Sequence, residues 1–278
     1  MLNNKIRIYS QKKKRKYIKK KKIITVVTIV YNDEKNIEKT IKSVVNQKYK
    51  NIEYIIVITP SKDKTFEIVK KYKSKIHKII VCKKKGIFLA MNVGSKFAKG
   101  EYINFMNSGD YFVNKNTVND IFKNEVKSDV IYGDCILYYN QFLRKIIANP
   151  LRTIIKELPF AHQSSFVKTK LQKKYNFNLR YNQSADYEFF LRLFKKNKKF
   201  SYYKKYISKR LPYGNSDKKL LTLYDNYIIS IKHLGERSLL RKIKFFEEIF
   251  YYGIIQFFQI ILPVKVINFL VRIKVKMK

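Results

Sequence analysis

The chain has 278 residues, enough to bury a sizeable core, and its 46% hydrophobic and 15% aromatic content excludes an intrinsically disordered protein. Its formal net charge of +41 rests on 61 basic residues, of which ten are arginines, with lysines spread along the whole length. Arginine is the side chain suited to bidentate phosphate and base contacts, so this balance argues against a specific nucleic-acid interface and for an anionic membrane surface.

Residues 1–22 hold a lysine-rich run and no apolar segment, which predicts a solvated basic tail and not a signal peptide. "IITVVTIVY" (23–31) is a continuous β-branched run, the pattern of a strand covered on both faces. Ile37, Ile41, Val44 and Val45 then recur at helical spacing, with Asn32 or Asp33 available to cap the helix. A strand is predicted over 52–58, a helix over 63–76 with Phe66, Val69 and Tyr72 inward, a strand over 78–82, a helix over 88–98 and a strand over 101–107. This alternation predicts an α/β fold with a mainly parallel sheet and helices on both faces.

Beyond residue 112 the pattern is mixed. A strand over 129–140 with a second after it is followed by a loop and then a helix in "AHQSSFVKTKLQKKY" (161–175). An amphipathic helix over 184–197, a late strand over 201–210 and a helix from about 217 to 234 complete the reading. The apolar stretch from Ile249 to Val264, cut short by Pro263 and Lys265, falls below the about 20 residues a spanning helix needs. It reads as an interfacial helix on a membrane, or as a helix packed on the domain or a dimer partner. Cys82 and Cys135 have neither disulfide nor zinc spacing, which fits a reducing cytoplasm.

In parallel sheets ligands bind beyond the carboxyl ends of the strands. Two polar stretches fall there, "ITPSKDKT" (58–65) and "NFMNSGDYF" (104–112). The second leaves a hydrophobic strand through Asn107, Ser108 and Gly109 and carries one carboxylate, Asp110. These residue types favour a turn, and they equally suit a metal or phosphate site.

"TVVTIVYNDEKNIEKTIKSVVNQKYKNIEYIIVI" (25–58), followed in order by "GIFLAMNVGSKFAKGEYINFMNSGDYF", "VIYGD", "HQSSFVKT" and "ADYEFFLRL", resembles the family 2 glycosyltransferases over about residues 23–217. The resemblance implies the GT-A fold over 23–217, between the basic tail (1–22) and a C-terminal helical extension (218–278). It implies inverting transfer of a sugar from a nucleotide-sugar donor to a surface-glycan or lipid-linked acceptor; the basic tail and the apolar C-terminus, read from the sequence itself, add the expectation of a membrane-associating extension and a place on the inner face of the cell membrane. "NSGD" resembles a subgroup form of the family's DxD motif, which makes Asp110, with Asn107, the expected holder of Mg2+ or Mn2+ against the charge growing on a departing nucleoside diphosphate.

Asp186 in "ADYEFFLRL" matches the family's general base, a position that also suits a helix-capping carboxylate, and Glu188 is a second choice. His162 and Gln163 match a loop near donor and acceptor, with a structural histidine as the other reading of His162. The loop from Thr28 and Val30 to Tyr31 and Asn32, with Ser61 and Asp63, is expected to cradle the nucleotide. Gly86, Asn92, Ser108 and Gly109 are expected to complete the donor site.

Two stretches depart from the family pattern. Ile58, Thr59 and Pro60 stand where relatives read "DDG", and Lys84 and Leu89 replace two further acidic positions. Two readings follow: an enzyme that holds its donor differently, with lysines on the phosphates, or a catalytically degenerate relative acting as a binding or assembly subunit.

Overall fold

The computed structural model describes residues 6–10, 21–138, 143–211, 219–234 and scattered positions between 243 and 254. Its contacts divide the chain into two units, Met1–Gly214 and Asn215–Lys278. In chain order the first unit begins with β1 (Ile6–Ser10), β2 (Ile24–Val30), α1 (Ile37–Val45), β3 (Ile52–Ile58), α2 (Thr65–Lys71), β4 (Lys78–Cys82), α3 (Ile87–Phe97) and β5 (Tyr102–Phe105). It continues with β6 (Tyr111–Phe112), α4 (Thr117–Phe122), β7 (Val130–Tyr138), β8 (Leu143–Ile146), β9 (Ser165–Lys168), α5 (Thr169–Tyr175), α6 (Ala185–Lys195) and β10 (Phe200–Arg210). The second unit contains α7 (Lys219–Leu234).

One sheet runs through the first unit in the order β1-β4-β3-β2-β5-β9-β7-β10-β6, with β8 paired to β7. β4, β3, β2 and β5 are mutually parallel, as are β7 and β10. Every residue of β2 and β3 is buried, as their unbroken β-branched runs require. Ile24, Val26 and Val30 share a cluster with Ile37, Ile41 and Val44 of α1. Val27, on the opposite face, meets α3 at Gly94, where an added Cβ would stand 2.5 Å from Val27 Cγ1 and 3.2 Å from Val57 Cγ2. Helices therefore cover both faces, and a glycine sets how closely α3 seats.

Four expectations need correction. Residues 6–10 are not part of a solvated tail: they form β1, antiparallel to β4. Part of the loop expected ahead of the helix in 161–175 is β9, which lies antiparallel to both β5 and β7 and interrupts the parallel order. Asp33 does not cap α1 with its side chain; its carboxylate accepts from Ser108 Oγ at 2.6 Å and Asn36 Nδ2 at 2.6 Å. The chain from Lys71 to Ile76 is not one helix with α2 but closes in a 3-10 turn at Lys73–Lys75.

Cys82 and Cys135 are both free and buried. No helix among the described residues is long and apolar enough to cross a membrane. The interfacial-helix expectation for 249–264 falls almost wholly outside the described residues.

Gly94→Ala tests the seating of α3. Alanine gains about 0.5–1 kcal/mol of helix propensity, but overpacking against Val27 costs about 1–3 kcal/mol. The expected result is a lower urea midpoint with an unchanged slope.

Candidate active site

The site is built where β2 and β5 end together. Their ladder continues past β5: Met106 N donates to Val27 O at 2.9 Å and Ser108 N to Ile29 O at 3.0 Å. The chain then turns back on itself, with Asp110 N donating to Asn107 O at 2.9 Å. Gly109 takes φ +90°, a left-handed conformation that suits glycine, and its amide donates to Thr40 Oγ1 at 3.0 Å. The result places Asp110 at the sheet's carboxyl edge, 7% exposed.

A 3-10 turn at His162–Ser164 packs against this exit. Asn104, in the middle of β5, fixes the turn by donating from Nδ2 to Gln163 O at 2.9 Å and Ser165 O at 2.8 Å. From that turn Gln163 Nε2 donates to Asp110 Oδ2 at 2.9 Å. His162 Nδ1 lies 3.2 Å from Asp186 Oδ2, and its Nε2 lies 3.4 Å from Asn107 Nδ2. An amide nitrogen only donates, so Nε2 accepts and the ring proton on Nδ1 faces Asp186. Asp186 sits in the first turn of α6, where Oδ1 accepts from Tyr187 N at 2.9 Å. A carboxylate is favoured there by the helix dipole.

Burial pushes the Asp110 carboxyl up to about 6, with Gln163, His162 and the Arg210 guanidinium pulling the other way. Asn107 is 8% exposed, and its Oδ1 has no hydrogen-bond partner among the described residues. A buried carboxylate whose pKa burial raises and an orphaned carbonyl oxygen on one turn are the oxygen donors a hard divalent cation takes. The donor set therefore fits Mg2+ or Mn2+ with few protein ligands. No group of three or more His, Cys, Asp and Glu side chains among the described residues makes a metal cage.

The expected donor residues divide. Asn32, at φ +46°, donates from its amide to Ser61 Oγ at 3.0 Å and accepts from Lys62 N at 2.9 Å. Asp63 accepts from the Glu34 and Thr65 amides at 3.0 and 3.1 Å. Desolvation would raise its carboxyl, but the Thr65 hydroxyl and these amides outweigh it and hold it low. Tyr31 is exposed, with Lys85 Nζ 4.9 Å from its ring centroid, and Lys85 lowers its phenol first through a hydrogen bond. Gly86, at φ +138°, opens α3.

Three of the expected donor side chains face elsewhere. Thr28 is fully buried, with Oγ1 donating to Met106 O at 2.8 Å and 3.0 Å from Tyr54 Oη. Val30 is 2% exposed and belongs to the α1 cluster. Asn92 uses both amide atoms on Phe177, at 2.8 Å each. Glu188 is buried and paired with Arg192 at 2.8 Å, a structural carboxylate. Asn104, Asp33 and Arg210 were not singled out as site residues from the sequence; the one signal for Asn104 was an amide inside an apolar strand.

A mainly parallel sheet, helices on both faces and a polar turn at the carboxyl edge define the GT-A fold. In the crystal structure of S. aureus TarS 1–349 in complex with UDP-GlcNAc, 77% of this chain superposes on 68% of that chain with a TM-score of 0.59 and 23% identity. The glycosyl transferase family 2 model matches residues 25–200, and the chain belongs to that family of transferases. An uncharacterized glycosyltransferase of Methanocaldococcus jannaschii, MJ1057, is 26% identical over 277 residues, covering 92% of this chain and 95% of its own. Escherichia coli WfaP, a UDP-Glc:alpha-D-GlcNAc-diphosphoundecaprenol beta-1,3-glucosyltransferase, is 38% identical over 103 residues, which are 36% of this chain and 40% of WfaP.

The Asp110 environment gives a stability test. Its folded pKa near 6 lies above the ordinary 3.8, so the folded chain holds an extra proton between those values and stability falls as pH rises through them. In chelator, Asp110→Asn is expected to be more stable than the parent at about pH 8, by up to about 3 kcal/mol. The difference should vanish below about pH 3 in thermal melts, where both unfolded and folded carboxyls are protonated.

Proposed function

We propose that the chain transfers a sugar from a nucleotide-sugar donor to a surface-glycan acceptor, such as a polysaccharide, lipopolysaccharide or capsule chain, by a single inverting displacement. The observation that carries this reading is the joined set Asp186, His162 and Asn107 beside Gln163 and Asp110. It brings a carboxylate able to take a proton next to oxygen donors suited to a cation. TarS, whose structure holds UDP-GlcNAc, supports a nucleotide-sugar donor. The WfaP name, with its diphosphoundecaprenol-linked acceptor, supports a lipid-linked acceptor.

In this reading Asp186 accepts the acceptor hydroxyl's proton as it attacks the anomeric carbon. His162, donating from Nδ1, keeps Asp186 Oδ2 turned toward the site. Asp110 and Asn107 Oδ1 would hold Mg2+ or Mn2+, which would supply positive charge against the departing diphosphate. Tyr31, Asn32 and Ser61 border the nucleotide, and Arg210 and Lys85 supply positive charge. Residues 23–217, with β1 added to their sheet, act as the catalytic domain and residues 218–278 as a membrane-associating extension. The lysine excess would draw the enzyme to anionic lipid at the inner face of the cell membrane.

Ile58, Lys84 and Leu89, in place of carboxylates, favour a second reading, a binding subunit without turnover. A donor-hydrolysis screen over nucleotide sugars with Mn2+ separates the two. The parent is expected to hydrolyse one donor, Asp186→Asn to lose about 10²–10⁴-fold in rate, and Asp110→Ala to lose metal-dependent nucleotide binding. Equal rates in all three would refute the site assignment; metal-dependent nucleotide binding without hydrolysis of any donor would favour the binding subunit.

A further inference from the structure

β6, β10, β7 and β8 lie side by side, and one row of paired residues crosses all four: Tyr111, Lys209, Ile136 and Lys145. Residues paired across strands project from the same face of a sheet. At the usual strand spacing the row is about 14 Å long. Tyr138, two residues beyond Ile136, extends the same face and pairs with Leu143, which is 55% exposed. Lys145 is exposed, and Tyr111, Ile136, Tyr138 and Lys209 are half-buried, so this face is open to solvent.

Each cation of the face stands by a tyrosine. Lys39, from α1, places Nζ 4.3 Å from the Tyr111 ring centroid and 4.1 Å from that of Tyr138, whose rings are 6.1 Å apart. Lys209 Nζ lies 5.9 Å from the Tyr111 ring, and Lys145 Nζ 5.9 Å from that of Tyr206. None of the three lysines has an ion-pair partner among the described residues. The carboxylate that β7 turns to this face, Asp134, is 6% exposed and already accepts from Ala148 N at 2.9 Å and Tyr202 Oη at 2.8 Å. The face therefore carries unneutralised positive charge, spread along a line and set among aromatic rings.

That line leads to the candidate site. β7 is antiparallel to β9, and β9 to β5, so Tyr138 ends β7 at the same edge as the turn after β5. Tyr111 is the residue after Asp110. A single small anion would need the cations to converge on one point; charges spaced along a row complement a chain that carries its own charges at intervals. Tyrosine rings, with an apolar face and a polar tip, suit the flat sides and hydroxyls of sugar rings in that chain.

We propose that this face is a track for the acceptor, and that the acceptor is an anionic glycan, bearing phosphodiesters or carboxylates along its length. The proposal rests on the transferase reading above and names the acceptor's charge.

Binding of the full chain to labelled oligo(glycerol phosphate), oligogalacturonate and a neutral dextran oligomer at about 0.15 M salt tests it. At least one anionic oligomer is expected to bind about ten-fold or more above dextran. The double variant Lys145→Gln/Lys209→Gln and the single variant Tyr138→Ala are each expected to lose at least about five-fold. Tyr138→Phe, which keeps the ring, and Lys70→Gln/Lys71→Gln, which removes two exposed lysines of α2, are expected to stay within about two-fold of the parent. All are expected to keep the parent's melting temperature, since the positions lie at the surface. Dextran binding as tightly as the anionic oligomers, or equal losses in the α2 control, overturns the proposal. So does single-stranded DNA, or a phosphatidylglycerol vesicle, that binds as tightly and responds to the same substitutions, since the row would then be a general polyanion surface. These outcomes leave the transferase reading standing; a parent that binds no nucleotide in Mn2+ overturns that reading and the acceptor role with it.

Discussion

The ladder between β2 and the chain leaving β5 fixes everything at the candidate site. Two backbone bonds, Met106 N to Val27 O and Ser108 N to Ile29 O, carry the pairing beyond the last residue of β5. A one-residue slip would turn every side chain of β5 to the opposite face. Asn104 would then leave Gln163 O and Ser165 O, and the turn bearing His162 would lose its anchor. Thr28 secures this register from inside the sheet, its hydroxyl on Met106 O. A residue expected to touch the donor thus acts one layer below, holding the segment that carries the proposed metal ligands.

What was legible in the sequence follows from the range of the forces involved. β2 and β3 announce themselves because strands covered on both faces need unbroken apolar runs, and α1 and α6 because one face must repeat at helical spacing. β9 carried no such signal: its four residues, "SFVK", are a strand only because β5 and β7 lie on either side. β1 was hidden for a similar reason, since "IRIYS" sits beside a lysine run and pairs only with β4, some 70 residues on. At the site, motif order located Asp110, His162, Gln163 and Asp186 together. Motif position did not say which way a side chain points: Thr28 and Asn92, expected at the donor, are both committed to internal hydrogen bonds.

The substitutions at Ile58, Lys84 and Leu89 have a consistent electrostatic meaning. A carboxylate at Ile58 would compete for the cations that share its pocket, Arg7 and Lys83. Without it the lysine-rich rim keeps its positive charge, and Asp110 is left as the buried carboxylate of the exit turn. Arg210 reaches Asp110 from the opposite side of the sheet order, along β10, and lowers its carboxyl against the pull of burial.

The two halves of the proposed chemistry meet in one turn. His162 and Gln163 are consecutive, yet their side chains reach different carboxylates, Asp186 on α6 and Asp110 after β5. The distance between a proton-accepting group and a metal-holding group decides whether an attacking oxygen and a leaving phosphate can lie in line. Here that separation is set by the geometry of a single 3-10 turn, pinned by Asn104 below and by Ser164 Oγ on Asp134 O at 2.8 Å beside it. Asn107 ties the ends together: its Nδ2 faces His162, which turns Oδ1 away and leaves it without a partner among the described residues. The same tautomer of His162 that orients Asp186 therefore also orients the second oxygen proposed to hold the cation. An asparagine at this position supplies a donor on one side and an acceptor on the other, a combination that an aspartate, with two acceptors, lacks.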